Sequence, residues 1–277
     1  MSTRQISSEK LKLLTFDLEE FFHILDFTPP SGIEKTHSSL PLVSEQILKI
    51  LRDNETRAIF FCVGDTALQN QDLIREIVQE GHVVGTHSMH HKLHKELSDE
   101  EFEQDLKESL LVLEEVSGSK IEHYRAPGFS LTKDYLHRFK ILKNYGIKYD
   151  FSIFVNGGSH GGIAERFLPP RDRSENYFVF EGIKSFPFTK TPIYGFSIPI
   201  LGGGYFRLTP WWLLKKAILS DIKLMTYFHP RDFDFSQPRL TGLGPLRYFK
   251  AYVGIKRSYT KLQNLVSAVD WSDPRRL

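Results

Sequence analysis

Five histidines lie between residues 82 and 94, directly after or within a short Val-rich run. The spacing of His87 and His91 places both rings on one face of a helical turn, a geometry in which one divalent ion can take two imidazole nitrogens. By spacing alone, His90 and His94 would serve equally well. The alternative to a metal site is a solvated, histidine-rich loop.

A pair of carboxylates near the N-terminus is the best partner for these imidazoles. The apolar run from Leu11 to Phe16 reads as a strand and ends at Asp17. Side chains of a strand alternate, so Asp17 and Glu19 point to the same side. Two carboxylates in one small volume suit a division of labour, in which one binds a metal and the other takes a proton from the attacking water. The alternative is an ordinary solvated acidic turn.

The apolar runs that position these residues alternate with segments of helical period. One segment is clearly helical: Ser98 and Glu101 form a capping box, and Gly118 provides the stop. Segments 71–79 and 132–144 follow the same pattern, and 156–174 reads as a long loop. The alternation predicts an α/β fold with a mainly parallel sheet, a distorted (β/α)7 barrel in one domain. The strand-like runs are 11–16, 58–63, 83–86, 121–124, 147–149, 183–186 and 224–228.

Residues able to do chemistry follow five of these runs. They are Asp17, His87, Arg125, Asp150 and His229. In a parallel barrel, the positions just after the strands gather at the carboxyl-end face, where active sites are built. The sequence therefore predicts that all five share one face. Taken alone, Arg125 would more commonly be a surface ion-pair residue and His229 a capped core histidine.

Composition excludes several classes of protein. A formal charge of +2, from 36 basic and 34 acidic residues, is too balanced for a nucleic-acid binder. The polar N-terminus lacks a secretory signal and no run reaches the roughly 20 apolar residues of a membrane span, so we expect a cytoplasmic chain without a transmembrane segment. The single cysteine, Cys62, lies in an apolar run and reads as a buried strand thiol.

The ordered set of motifs resembles the polysaccharide deacetylases with a NodB-type domain, the carbohydrate esterase 4-like family. The resemblance is closest to the branch from bacterial exopolysaccharide and exosortase-linked loci, and it spans nearly the whole chain. Two departures stand out: Leu18 replaces the second Asp of the commoner first motif, and Phe154 and Val155 stand where a Trp is frequent. The matching segments are TFDLEEFFH from 15, HSMHH from 87, RAPG from 125, DFS from 150, GGGYFR from 202, FHP from 228 and QPR from 237.

The resemblance implies metal-dependent removal of the acetyl group from an N-acetylated sugar of a polysaccharide or its precursor. Glu19, His87 and His91 would hold the divalent ion, with zinc favoured and Co²⁺, Ni²⁺, Mn²⁺ or Fe²⁺ also suitable. Asp17 would be the general base and Arg125 would aim it. The departure at Leu18 leaves the exchanged assignment open, with Asp17 as ligand and Glu19 as base.

The resemblance also implies roles in the departure of the amine and in stabilising the oxyanion. His229 would protonate the departing amine, with Asp150 as the carboxylate that holds it as imidazolium. A backbone N–H near Pro127 and Gly128 would assist the oxyanion.

Aromatic residues after three consecutive glycines could pack against the face of a pyranose ring. A basic, partly apolar segment forms the C-terminal tail. The aromatic set is Tyr205, Phe206, Trp211 and Trp212, of which at least one Trp would be core. The tail from about 245 to 277 reads as a helical extension docked on the barrel, with peripheral contact to anionic membrane as the alternative.

Two other functions stay open: an inactive carbohydrate-binding protein, and a metal-dependent hydrolase of small cyclic amides or ureides.

Overall fold

The protein is described by a computed structural model that covers residues 11–23, 38–157, 161–170, 176–188, 190–193, 196–219, 223–239 and 243–277. Its strands are short and lie mostly where the apolar runs predict them. They are β1 (Lys12–Leu13), β2 (Thr15–Leu18), β3 (Ile59–Cys62), β4 (Val83–Thr86), β5 (His123–Tyr124), β6 (Tyr149–Asp150), β7 (Phe178–Phe180), β8 (Ile183–Ser185), β9 (Thr191–Ile193), β10 (Phe196–Ile198) and β11 (Leu224–Met225).

The main sheet is parallel and runs in the order β2-β3-β4-β5-β6-β8, with β7 antiparallel at its edge. On the other side β11 pairs in parallel with β1, and Phe228 forms a parallel bridge to Phe16. Since β1 and β2 follow each other directly, the described residues provide seven parallel strand positions. The prediction of a distorted (β/α)7 barrel is confirmed.

The two faces of the sheet carry separate apolar clusters, as the alternation of strand side chains requires. Along β3, Ile59 and Phe61 join a cluster rich in phenylalanine inside the barrel. Phe60 and Cys62 join the larger cluster beneath the helices. Cys62 is fully buried, which confirms the prediction of a strand thiol.

Helices cover the outside of the sheet. The clearest is α4, where the Ser98 side chain accepts from the Glu101 backbone N–H, Glu101 accepts from the Ser98 N–H, and Gly118 ends the helix at φ 65°. These caps are as predicted. The helices are α1 (Leu40–Asp53), α2 (Gly64–Gln69), α3 (Gln71–Gln79), α4 (Asp99–Ser117), α5 (Phe139–Asn144), α6 (Gly203–Leu208), α7 (Trp211–Leu219), α8 (Pro245–Tyr252) and α9 (Ser258–Ala268).

Several elements differ from the sequence-based expectation. The segment 132–144 begins as a 3-10 helix, Lys133–Arg138, before α5. The C-terminal extension is divided into α8 and α9, because Gly254 takes a left-handed φ of 73° between them. Strands β7, β9 and β10 were not predicted, and of the expected loop 156–174, residues 158–160 and 171–174 lie outside the described part. In the described part of the chain, no helix is long and apolar enough to span a bilayer.

Candidate active site

A cavity of about 890 Å³ lies at the carboxyl ends of the strands. The predicted metal ligands and catalytic residues that line it are Asp17, Glu19, His87, His91 and His229. Arg125 and Asp150 are fully buried and do not line the cavity. Asp17, His87 and His229 thus share one face of the barrel, as predicted. Arg125 and Asp150 lie beneath the surface of the site.

His87 and His91 lie on an irregular loop after β4 and not on a helix. The expected helical turn is wrong, yet the rings still converge, with centroids 5.3 Å apart. Ser88 and His91 have positive φ values of 68° and 57°, which fold the loop back on itself. Such backbone conformations are uncommon outside glycine and persist only where the surroundings enforce them.

The buried carboxylate of Asp105, on α4, enforces this loop. It accepts hydrogen bonds from the backbone N–H groups of Met89 at 2.9 Å and His90 at 3.3 Å. Burial raises the pKa of Asp105, and these two N–H donors act in the opposite direction. Asp105 was not predicted to support the site, because its place in the helical pattern of α4 is unremarkable.

The ring orientation of His87 is fixed by a backbone carbonyl. Its Nδ1 lies 2.8 Å from the Arg125 oxygen, and since a carbonyl only accepts, Nδ1 carries the proton. Burial lowers the pKa of His87 to about 4, so the ring is neutral near pH 7. Its Nε2 therefore presents a lone pair, the state that a metal ligand needs.

Glu19 and His91 meet at the same point. Glu19 Oε2 lies 2.6 Å from His91 Nε2, and both side chains are buried. Burial would raise the pKa of Glu19, but the histidines His91 and His229 lower it overall. One ligand atom each from Glu19, His87 and His91 lies within 4.8 Å of the others. Two imidazole nitrogens and one carboxylate oxygen fit a divalent ion, with zinc-type chemistry.

The alternative histidine pair points elsewhere. His90 is exposed and lies 2.8 Å from Asp65. His94 is buried, with Nε2 2.9 Å from the Tyr124 hydroxyl. Neither ring joins the cluster of Glu19, His87 and His91. The spacing in the sequence did not distinguish the two histidine pairs as metal ligands, but the fold does.

Asp17 is held by Arg125 from inside the barrel. Arg125 Nη1 donates to Asp17 Oδ1 at 2.7 Å, and its guanidinium lies 4.2 Å from the centre of the Phe61 ring. Arg125 is thus not the surface ion-pair residue that its type alone would suggest. The Asp17 carboxylate keeps its other oxygen, Oδ2, toward the cavity, 3.8 Å from His229 Nε2.

The carboxylate beside His229 is Asp232 and not Asp150, which corrects the prediction for Asp150. Asp232 Oδ2 lies 3.2 Å from His229 Nδ1, and its Oδ1 lies 3.3 Å from Arg207 Nε. Although burial lowers the pKa of His229, the carboxylates of Glu19, Asp232 and Asp17 raise it to about 9. These carboxylates therefore favour the protonated form of His229.

Asp150 instead ties two strands together at the base of the site. It accepts hydrogen bonds from the Ser185 hydroxyl and the Ser152 backbone N–H. Burial raises the pKa of Asp150 to about 6. Asp232 could have been found from the sequence, since it follows His229 by one turn in the FHPRD segment.

The predicted aromatic platform is divided. Tyr205 is 43% exposed and lines the cavity, whereas Phe206 is fully buried against Phe228, with ring centroids 4.7 Å apart. Phe206 is therefore a core residue, contrary to expectation. Trp211 lines a second cavity, and Trp212 is 62% exposed outside both.

Two neighbouring segments complete the lining. Gly128 lines the cavity with its backbone, while the adjacent Pro127 is buried behind it. His23, the last residue of the first motif, was not predicted as a site residue but stacks on His91 with ring centroids 5.1 Å apart. It therefore extends the imidazole wall of the site.

Comparison with known proteins gives two family matches that together cover most of the chain. The family described as polysaccharide deacetylase matches residues 7–157, and the domain of unknown function DUF3473 matches residues 158–277. The metal-type cluster lies in the first stretch, whereas His229 and Asp232 lie in the second.

Individual relatives match over shorter stretches. A peptidoglycan-N-acetylglucosamine deacetylase of Bacillus cereus is 35% identical over 66 residues, 24% of this chain and 31% of the relative. A chitooligosaccharide deacetylase of Azorhizobium caulinodans is 30% identical over 88 residues, 31% of this chain and 42% of the relative. The chain thus spans less than half the length of these curated relatives.

A solved structure from Mycobacterium smegmatis, assigned as a polysaccharide deacetylase, shares the fold. Its TM-score is 0.60 at 18% identity, with 98% of this chain and 88% of that chain covered. The family match extends over more than half of the 277 residues. The chain belongs to the polysaccharide deacetylase family.

Proposed function

We propose that this protein is a metal-dependent N-deacetylase that acts on an N-acetylated sugar of a bacterial exopolysaccharide or its precursor. One observation carries the proposal: a single cavity combines a two-histidine, one-carboxylate cluster with a carboxylate held by arginine and a histidine held by aspartate. These are the parts that hydrolysis of an amide requires. The names of the Bacillus and Azorhizobium relatives support an N-acetylated sugar as substrate.

Glu19, His87 and His91 are the residues that would hold the metal. A divalent ion bound there would polarise the acetamide carbonyl and favour deprotonation of the attacking water. Zinc suits this ligand set best, and Co²⁺, Ni²⁺, Mn²⁺ and Fe²⁺ are the alternatives. Glu19 is the preferred carboxylate ligand, because one oxygen of Asp17 is already engaged by Arg125.

Asp17 is the proposed general base. Arg125 fixes the carboxylate through Oδ1, so that Oδ2 faces the cavity and can take the proton of the attacking water. A buried, charge-assisted hydrogen bond gives this aim, since rotation of the carboxylate would break the ion pair. Leu18, which stands between Asp17 and Glu19, is fully buried in the barrel wall and has no part in this chemistry.

His229 is the proposed general acid. An amide nitrogen leaves poorly until it is protonated, and the imidazolium of His229 would supply that proton. Asp232 keeps Nδ1 engaged, so that Nε2 is the nitrogen that faces Asp17 and Glu19. The backbone at Pro127 and Gly128 stays a prediction for stabilising the oxyanion, and Tyr205 for contacting the sugar.

The test is acetate release from a panel of N-acetylhexosamine oligomers by protein with a measured metal content. We expect about one equivalent of metal and acetate release that is lost on chelation and restored by zinc. Matched variants separate the histidines: His91→Ala should lose the metal, whereas His90→Ala should keep it.

An inactive carbohydrate-binding protein is the second candidate, since Leu18 replaces an acidic residue of the commoner first motif. Full metal content and saccharide binding without acetate release from any sugar would favour it. Release from cyclic amides or ureides alone would favour the other hydrolase class. The cytoplasmic location expected from the N-terminus stays a prediction.

A further inference from the structure

The exposed large apolar side chains of the described residues are concentrated in one part of the chain. Eight of the thirteen lie between residues 205 and 249, which include α6, α7 and most of α8. Single exposed apolar side chains are normal on a protein surface, whereas a concentration of them marks an interaction surface. The eight are Tyr205, Leu208, Trp212, Leu219, Phe235, Leu246, Tyr248 and Phe249.

The same part of the chain carries charge of one sign. Residues 235–269 contain six basic residues and no acidic residue, although the whole chain has a formal charge of only +2. The two carboxylates that precede this stretch, Asp232 and Asp234, are buried and hydrogen-bonded inside the protein. The exposed charge of the stretch is therefore positive.

A second cavity, of about 930 Å³, brings the apolar and the basic side chains together. Its lining includes two of the exposed apolar residues, Leu208 and Phe235, and three exposed cations, Arg239, Lys256 and Arg257. The described lining contains no carboxylate, and none of these three cations forms an ion pair with a described residue. The cavity thus combines apolar contact surface with a positive potential.

Hydrogen bonds between α6, α8 and α9 hold this cavity in shape. Lys261, on α9, donates to the backbone oxygens of residues 206, 207 and 209 at the end of α6. Arg207 donates to the backbone oxygens of residues 250, 251 and 253 at the end of α8. The guanidinium of Arg239 lies 4.3 Å from the centre of the Tyr252 ring. The side chains of the cavity are therefore presented by packed helices.

Helix α7 continues the same combination of side chains beside the cavity. Trp211, its first residue, lines the cavity. Trp212, Lys215 and Leu219 follow at intervals of three and four residues, which places them on one face of the helix. All three are exposed. Tryptophan and leucine beside lysine are typical of helices that lie in a membrane interface.

We propose that this lipid-binding surface, formed by Leu208, Phe235, Arg239, Lys256, Arg257 and the exposed face of α7, binds the anionic phospholipids of a membrane. The lipid phosphates would contact the cations, while the apolar side chains would enter the boundary between headgroups and acyl chains. The two cavities share Arg207, so this binding would hold the catalytic cavity beside the bilayer.

The exposed aliphatic side chains favour lipid over a hydrated polyanion such as an acidic glycan. A polyanion would engage the cations of the surface alone. Leu208 and Leu219 gain free energy only when they leave water, and the acyl region of a bilayer offers that transfer. The pairing of positive charge with apolar surface therefore fits an anionic bilayer.

The test uses the full chain with vesicles of phosphatidylcholine alone and of equal parts phosphatidylcholine and phosphatidylglycerol. Co-sedimentation should show binding to the anionic vesicles that is about tenfold tighter than to the neutral ones. Rising salt should weaken this binding because it screens the charges. Tryptophan fluorescence should shift to shorter wavelength on binding, and Trp212→Phe should reduce that shift while vesicle binding is kept.

One pair of substitutions removes apolar side chains from the surface. Trp212→Ser combined with Phe235→Ser should weaken binding to the anionic vesicles about tenfold. The matched control is Leu42→Ser with Leu111→Ser, because these side chains are 67% and 60% exposed, against 62% for Trp212 and 67% for Phe235. Thermal unfolding would show that both variants are folded.

A second pair removes charge. Lys256→Gln with Arg257→Gln should weaken binding to the anionic vesicles about tenfold and leave binding to the neutral vesicles unchanged. The matched control is Lys107→Gln with Lys140→Gln, two exposed lysines outside the second cavity.

Several outcomes would overturn the proposal. They are equal binding to both kinds of vesicle, an equal loss in a variant and its control, and no vesicle binding at all. Binding to a soluble acidic glycan, or self-association, that replaces vesicle binding and is lost in Trp212→Ser with Phe235→Ser would assign the surface to that partner instead. Lipid binding requires neither metal nor catalysis, so these outcomes are independent of acetate release.

Discussion

Replacement of Asp232 by Asn is the sharpest perturbation of the proposed general acid. The change preserves the shape of the side chain but removes a charge 3.2 Å from His229 Nδ1. It also leaves Arg207, 3.3 Å from Asp232, without that counter-charge. Both effects disfavour the protonated form of His229.

The size of the effect follows from the distance. At an effective dielectric constant of about 20, two unit charges roughly 3.2 Å apart attract by about 5 kcal/mol. Rearrangement and solvent reduce this, and Asp17 and Glu19 still face His229 at 3.8 and 4.0 Å. One pKa unit corresponds to about 1.4 kcal/mol, so we expect the pKa of His229 to fall by about 1 to 3 units.

The assay is the pH dependence of kcat for acetate release from an N-acetylglucosamine oligomer. A general acid must be protonated, so activity falls as pH rises through its pKa, and a lower pKa moves the alkaline limb to lower pH. Asp232→Asn should therefore retain activity at low pH and lose it early on the alkaline side. Asp234→Asn is the matched control, because Asp234 is also buried but bonds to Ser236 and Ser39.

An alkaline limb that stays in place in Asp232→Asn would refute the reasoning. A shift of the alkaline limb in Asp150→Asn but not in Asp232→Asn would also refute it, because Asp150 bonds to Ser152 and Ser185 and does not contact His229. Circular dichroism and thermal unfolding of each variant would show that the comparison is between folded proteins.

Three further predictions concern the other parts of the site. Asp17→Asn should keep the metal and lose about 10² to 10⁴ in rate, whereas Glu19→Gln should lose metal affinity; exchanged phenotypes in metal analysis and acetate assays would reverse the two roles. His229→Ala should be rescued on an activated ester, whose leaving group needs no proton, and hardly at all on the amide; equal losses on both would remove the general-acid role. Phe206→Ala should lower the free energy of unfolding by about 3 to 5 kcal/mol, measured by denaturant titration, whereas Tyr205→Ala should raise KM with little loss of stability; the opposite pattern would return Phe206 to the substrate site.

The architecture and the gathering of the site were predictable because both follow from strand direction. Apolar runs that alternate with capped helices give a parallel sheet, and residues just after such strands meet at one end of it. Asp17, His87 and His229 line one cavity for that reason. The capping box of α4 was equally predictable, because it depends only on Ser98 and Glu101, which are three residues apart.

The arrangement inside the site depends on contacts between distant segments, which spacing does not reveal. His87 and His91 converge through a loop with positive φ, held by Asp105 from α4, and not through the helical turn that their spacing suggests. Likewise the partner of His229 is decided by the turn that follows it, which brings Asp232 to Nδ1.

The aromatic segment shows the same limit. Consecutive residues of a helix point in different directions, so Tyr205 can line the cavity while Phe206 packs on Phe228. Glycines before an aromatic run do not tell which ring faces the core. The short strands β7, β9 and β10 escaped prediction because three residues carry too little pattern.

Zinc titration of the metal-stripped protein, with acetate release measured at each step, tests the central claim most directly. The Glu19, His87 and His91 cluster predicts that activity on an N-acetylglucosamine oligomer rises with zinc and levels off near one bound equivalent. Acetate release by the metal-free protein, or full zinc occupancy without release from any N-acetylated sugar, would contradict a metal-dependent deacetylase.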